Sequence, residues 1–285
     1  MKLKNLFILF IISVLAINLG TGDAVAKPNG KPVLQPTVTL AEPVTLKTSD
    51  DWTLSALYLA PEAEENPTVV LLHDLGKNKE AFDPLAKALA QEGMGYLAVD
   101  LRGYGASAGE KPASTFAREG EDNPFNQMTL DVAAALAFLR TKKIPAEQTV
   151  VLGVGLGANV AVKSTLSLPA ITHLGLINPS VNIRDVLAIE PMRHYKGDVL
   201  IAASADDKKS FLEASILRNV AYLTIGPDSG KVTFLTAYDK TSHEMLNQHL
   251  IPTVMQWLKT PQRPPLAPDE DESAATPEFQ PPLQD

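Results

Sequence analysis

The sequence predicts an α/β fold: a doubly wound, mostly parallel sheet covered by helices, with an antiparallel hairpin at its amino-terminal edge and no large lid. Three observations carry that expectation. Short apolar runs alternate with amphipathic stretches across roughly residues 43–260, the pattern of strands that need a helical crossover between them. Gly153-Val154-Gly155-Leu156-Gly157 turns a strand into a helix with almost no connecting residues. His73 and Asp74 follow an apolar run directly, at the carboxyl edge where sheets of this class bind ligands.

The elements follow in chain order. Lys2 and Lys4 precede an apolar run from Leu6 to Ile17, and a small-residue stretch closes with Ala24-Val25-Ala26. That layout is a secretory signal, with cleavage expected after Ala26 and an exported, periplasmic or secreted product. An uncleaved anchor is disfavoured because the run falls short of the roughly 20 residues that cross a bilayer. Residues 27–42 hold several prolines and no periodicity, as a linker would. The domain is assigned to 43–260. Pro261 to Asp285 combines proline clusters with the acidic run Asp269 to Glu272, a composition too poor in apolar surface to offset its ordering entropy.

Within the domain, Val44–Lys47 and Leu54–Leu59 flank the turn-like Ser49-Asp50-Asp51 and predict the hairpin. Val69–Leu72 is a buried strand, followed by a helix that buries Phe82, Leu85, Ala86 and Leu89. Gly93 and Gly95 end that helix ahead of a strand over Tyr96–Val99. A nearly apolar helix is expected over about Thr129–Arg140, and a central strand, Val150–Leu152, that breaks at Gly153 and re-enters a helix by Ala158. Leu174–Ile177, Val199–Ala203 and Val232–Ala237 complete the strands. Leu246, Leu250, Val254, Trp257 and Leu258 share one face of a last helix. The connection from Pro179 to Gly197 is short for a lid.

Composition narrows the function. The formal net charge of −8 argues against a general affinity for nucleic acid or anionic lipid, and no stable membrane span is expected once the signal is removed. Without cysteine there is no disulfide framework, no thiol nucleophile and no site for lipid attachment. No metal-ligand cluster and no cofactor fingerprint is present; Gly153 to Gly157 lacks the spacing and following acid of a dinucleotide site.

The glycine-flanked turn has the geometry of a nucleophile elbow, where small residues two before and two after the centre let the chain fold back. With it, Leu71-Leu72-His73-Asp74-Leu75-Gly76 and Val99-Asp100-Leu101-Arg102-Gly103-Tyr104-Gly105-Ala106-Ser107 follow in an order and spacing that resembles the α/β-hydrolase superfamily. The likeness is greatest to its small bacterial esterase and dienelactone-hydrolase-like members, over about residues 44–258. The resemblance implies a serine at the elbow that attacks a carbonyl carbon while a histidine takes its proton. Here that position is Gly155, which has no side chain to attack with.

The resemblance further implies that Asp207, or its neighbour Asp206, stands at the acid position and His243 at the base position. It assigns the oxyanion amides to Leu156 and to Asp74 or its neighbour, and His73 to loop support. A carboxylate at Asp74 pointed into that site would oppose a developing negative charge; a side chain turned away would not. Asp100 and Arg102 are expected to brace their loop as a pair. The sequence therefore leaves two functions: a non-catalytic or weakly active homologue that binds a small acyl or ester ligand or an exported protein, or a hydrolase of carboxylic esters using His243-activated water or an unrecognised nucleophile.

Overall fold

The computed structural model describes residues 41–109, 111–120, 123–238 and 242–259. The segment read as a signal, most of the linker and the acidic tail lie outside these residues. The first strand, β1 (Glu42–Lys47), begins on the last residue assigned to the linker. It pairs antiparallel with β2 (Thr53–Leu59), and β2 pairs antiparallel with β4 (Gly95–Val99). From β4 onward every pairing in the main sheet is parallel: β3 (Thr68–Leu72), β5 (Thr149–Val154), β6 (His173–Ile177), β9 (Asp198–Ser204) and β10 (Val232–Ala237). The order is β1-β2-β4-β3-β5-β6-β9-β10.

Two cores lie on opposite faces, and the two-residue period of each central strand feeds both. Val70, Leu72 and Val151 face the core shared with α2 (Thr129–Thr141), α3 (Leu156–Ser164) and α5 (Lys208–Ile225). Val69, Leu71, Val150, Leu152 and Val154 face the core shared with α1 (Asp83–Gln91) and α6 (Leu250–Lys259). Burial on both faces explains why these strands read as unbroken apolar runs instead of alternating ones.

The strands match their sequence-derived positions to within a residue or two, and the differences have local causes. The central strand does not stop at Leu152. The Gly155 N–H donates to the Ile177 carbonyl at 2.9 Å, which extends the ladder, while Ala158 and Asn159 donate to the Gly155 carbonyl and start α3 immediately. The last helix begins at Leu250 and not at Leu246, because the Asn247 side chain accepts the His249 N–H at 2.9 Å and caps it. Between Pro179 and Gly197 the chain forms a small hairpin, β7 (Asn182–Ile183) and β8 (Val186–Leu187), then α4 (Ile189–His194). Arg184 and Asp185 form its two-residue loop, both at positive φ, as a twist-matched tight hairpin requires.

Candidate functional site

The three segments expected to form a site converge at the carboxyl ends of β3 and β5. Gly155 is the single residue between β5 and α3, with φ 53° and ψ −114°. This backbone state costs a side-chain-bearing residue on the order of 1–3 kcal/mol. Its flanking glycines are required by close approach: a Cβ at Gly153 would overlap the Gly157 backbone, and one at Gly157 would overlap the Leu72 carbonyl. The elbow therefore has the shape inferred from its spacing, with one connecting residue where the sequence left up to five.

The space above the elbow is filled by Asp74. A Cβ built on Gly155 would overlap the Asp74 carboxylate, so this side chain stands where an elbow side chain would project. Its Oδ1 accepts the Leu156 N–H at 2.8 Å and the Leu75 N–H at 2.7 Å. Leu156 is the first residue of α3, so the carboxylate sits on a helix amino terminus, where the dipole and unpaired amides favour an anion. Of the two orientations left open by the sequence, the structure has Asp74 turned into the site.

The Asp74 N–H, the other amide assigned to an oxyanion, donates to His243 Nε2 at 3.1 Å. An acceptor role at Nε2 places the imidazole proton on Nδ1, which is buried and makes no side-chain hydrogen bond among the described residues; the Ala81 backbone is the ring's other polar neighbour. His243 follows β10 in a single 3₁₀ turn, Ser242–Met245, and packs edge-on against Phe82 with ring centroids 4.7 Å apart. Burial pushes its pKa down to about 4; the negative charge of Asp74 and the Ala81 backbone oppose this, and the positive charge of Lys77 reinforces it.

Asp207 is not brought to this imidazole. It caps α5, accepting the Lys209 and Ser210 N–H groups at 3.1 Å each and the Ser210 hydroxyl at 2.7 Å. These bonds, the Ser210 hydroxyl foremost, hold its carboxyl below the usual range. The Asp206 N–H donates to Ser204 Oγ at 3.3 Å. An acid partner would hold His243 Nδ1, and among the described residues no carboxylate does so. The structure thus joins Asp74, Gly155, Leu156 and His243, and leaves Asp207 in a helix-capping role.

His73 behaves as a brace. Its Nε2 accepts the Leu101 N–H at 3.1 Å, which leaves Nδ1 to donate to the Asp74 carbonyl at 2.8 Å, and burial keeps the ring neutral. Asp100 and Arg102 also brace, but not with each other. Asp100 accepts from the Lys79 N–H, Lys79 Nζ and the Ala106 N–H, whereas Arg102 reaches Asp131 and Asp50. Asp131 escaped the sequence reading because it sits inside the apolar helix α2; a lone acid in such a run is the signal of a buried partner. Among the described residues there is no group of acids and histidines able to hold a metal ion, and no helix long and apolar enough to cross a membrane.

The depressed His243 value has a pH consequence. Unfolded, the imidazole binds a proton near pH 6.5; folded, it does so only near 4. Between these values the unfolded chain holds more protons, so this group's contribution favours folding above pH 6.5 and is lost as pH falls toward 4. The loss is at most about 3 kcal/mol. Nitrogen-detected NMR should show a neutral, Nδ1-protonated ring at pH 5.5, and His243→Phe should flatten stability between pH 4 and 6.5 relative to wild type. A ring that titrates near 6.5 contradicts the assignment.

Comparisons agree with the fold. The family described as "Serine aminopeptidase, S33" matches residues 63–212. An esterase from Pyrococcus furiosus superposes with a TM-score of 0.63 at 17% identity, covering 77% of this chain and 91% of its own. An esterase from Exiguobacterium antarcticum gives 0.58 at 16%, covering 76% and 99%. A thermophilic esterase from Thermogutta terrifontis, solved with malate bound, gives 0.59 at 13%, covering 77% and 98%.

Proposed function

Because the chain belongs to the serine aminopeptidase S33 family of α/β hydrolases, we propose that it is an exported homologue without serine-type acyl transfer, retained to bind a small molecule or another exported protein. One observation carries this reading: the Asp74 carboxylate occupies the elbow. Acyl transfer needs a nucleophile and an empty pair of amides for the developing oxyanion. Gly155 supplies no nucleophile, the Leu156 N–H is bound to Asp74 Oδ1, and the Asp74 N–H is bound to His243.

Magnitudes favour the same conclusion. One oxyanion donor contributes about 2.7–4 kcal/mol to such a transition state. A fixed carboxylate about 4 Å from the forming oxyanion opposes it by on the order of 4 kcal/mol at an effective dielectric of about 20. The repulsion therefore cancels what a donor would supply. Hydrolysis by His243-activated water has little in its favour, because the Nε2 lone pair is taken by a backbone amide and no acid among the described residues orients Nδ1. Export rests on the charged, apolar and small-residue layout of residues 1–26.

The purified mature protein should hydrolyse short-chain p-nitrophenyl esters no faster than buffer and take no label from a fluorophosphonate probe. Turnover that disappears in His243→Ala would overturn the proposal.

A further inference from the structure

The end of the sheet opposite the elbow carries a second recess. It lies between α2 and the turn after α3, at the start of β5, with a volume of about 510 Å³, within the roughly 300–1,000 Å³ typical of small-molecule sites. Leu136, Ala137, Ile144, Val151, Leu168 and Ile171 supply an apolar wall, and Arg140 stands as its one charged lining residue. The guanidinium of Arg140 has no hydrogen-bond or ion-pair partner among the described residues. Its position in the last turn of α2 complements the helix dipole, and that role leaves its five N–H donors available.

We propose that this groove binds a small amphiphilic carboxylate, its alkyl chain along the Leu136–Ile171 wall and its carboxylate on Arg140. Arg140 is exposed at the groove's rim, where an apolar ligand would draw nothing from the cation and a cationic one would be repelled by it. A planar guanidinium matches a carboxylate through two parallel hydrogen bonds. The site is independent of the elbow: β5 separates them, with Thr149 and Val151 lining the groove and Gly155 following the strand's far end.

Calorimetric titration of the full chain with decanoate, decanol and decyltrimethylammonium tests this. Decanoate should bind one to one, roughly tenfold or more tighter than decanol, as one charge-assisted contact implies, and the ammonium should bind weakest. Arg140→Gln should abolish the preference for decanoate over decanol, and Ala137→Trp, an exposed position, should abolish binding of both. Equal binding of decanoate and decanol, no decanoate binding at millimolar concentration, or binding unaffected by Ala137→Trp would overturn the assignment. Sedimentation with phosphatidylglycerol vesicles that Arg140→Gln abolishes would also overturn it, in favour of a membrane surface.

Discussion

Gly155→Ser alone should leave the protein unstable and silent toward esters and fluorophosphonates, whereas Gly155→Ser combined with Asp74→Ala should fold and take the label. In the single variant the new Cβ overlaps the Asp74 carboxylate, so the carboxylate must leave its two backbone amides or the elbow must move. Hydrogen bonds to a charged group contribute about 1.5–3 kcal/mol each, and the positive-φ backbone adds roughly 1–3 kcal/mol of strain. Gly155→Ser in wild type should therefore lose more than about 4 kcal/mol. In the Asp74→Ala background only the strain remains.

Denaturant unfolding of the four proteins gives the coupling directly. Additive costs would mean that Asp74 does not occupy the elbow. For reactivity, removal of the carboxylate frees the Leu156 N–H, and labelling then requires His243 Nε2 to exchange the residue-74 N–H for the new hydroxyl. With no carboxylate on Nδ1 among the described residues, the imidazole lacks an orienting acid, so labelling should run roughly 10⁴-fold below that of an intact triad. It should still exceed the single variant. A well-folded double variant that stays unlabelled would show that His243 does not turn its Nε2 from the residue-74 N–H to the elbow.

The same pair of residues shows what was legible in the sequence. The central strands were legible because they are buried on both faces and flanked by glycine or polar breaks, and the elbow because its glycines stand at the required spacing. His243 could be placed by its position after the last strand. The occupancy of the elbow could not be read, since the rotamer of Asp74 is decided by the Leu75 and Leu156 amides, groups 82 residues apart at the farther contact. The two departures at 74 and 155 are complementary in volume, and that complementarity was the available signal. Asp207 looked like an acid partner because it follows a strand, but a residue opening an 18-residue helix also caps it. That helix itself went unseen, because exposed Leu212 and Leu223 blur its apolar face.

Arg102→Met should be the most destabilising single change away from the elbow, by about 3–5 kcal/mol at pH 7.5. Arg102 is 1% exposed and ties three segments: its Nε donates to Asp131 Oδ1 at 2.8 Å, its own N–H to Asp131 Oδ2 at 2.8 Å, and its guanidinium to both Asp50 oxygens, with Trp52 5.4 Å from its carbon. The neighbouring Leu101 N–H holds His73, which in turn holds the Asp74 carbonyl, so the network steadies the occupied elbow. Burial pushes Asp131 up to about 6 against the pull of Arg102, while its carboxylate partners hold Arg102 charged, above its usual value.

The sign of the pH effect follows. With a folded value above the unfolded one near 4, Asp131 binds its proton more readily in the folded chain between about pH 4 and 6. Its own contribution therefore favours folding below pH 4 and is lost as pH rises through 6. Without Arg102 the folded value climbs further, so the deficit of Arg102→Met should be largest at pH 7.5 and shrink by pH 5. Adding Asp131→Leu should recover most of the loss, since a buried pair replaced by apolar groups is often neutral where a broken pair is not. Urea unfolding at both pH values decides the matter: a deficit independent of pH, unrelieved by Asp131→Leu, would assign the loss to packing of the Arg102 stem and not to a stranded charge.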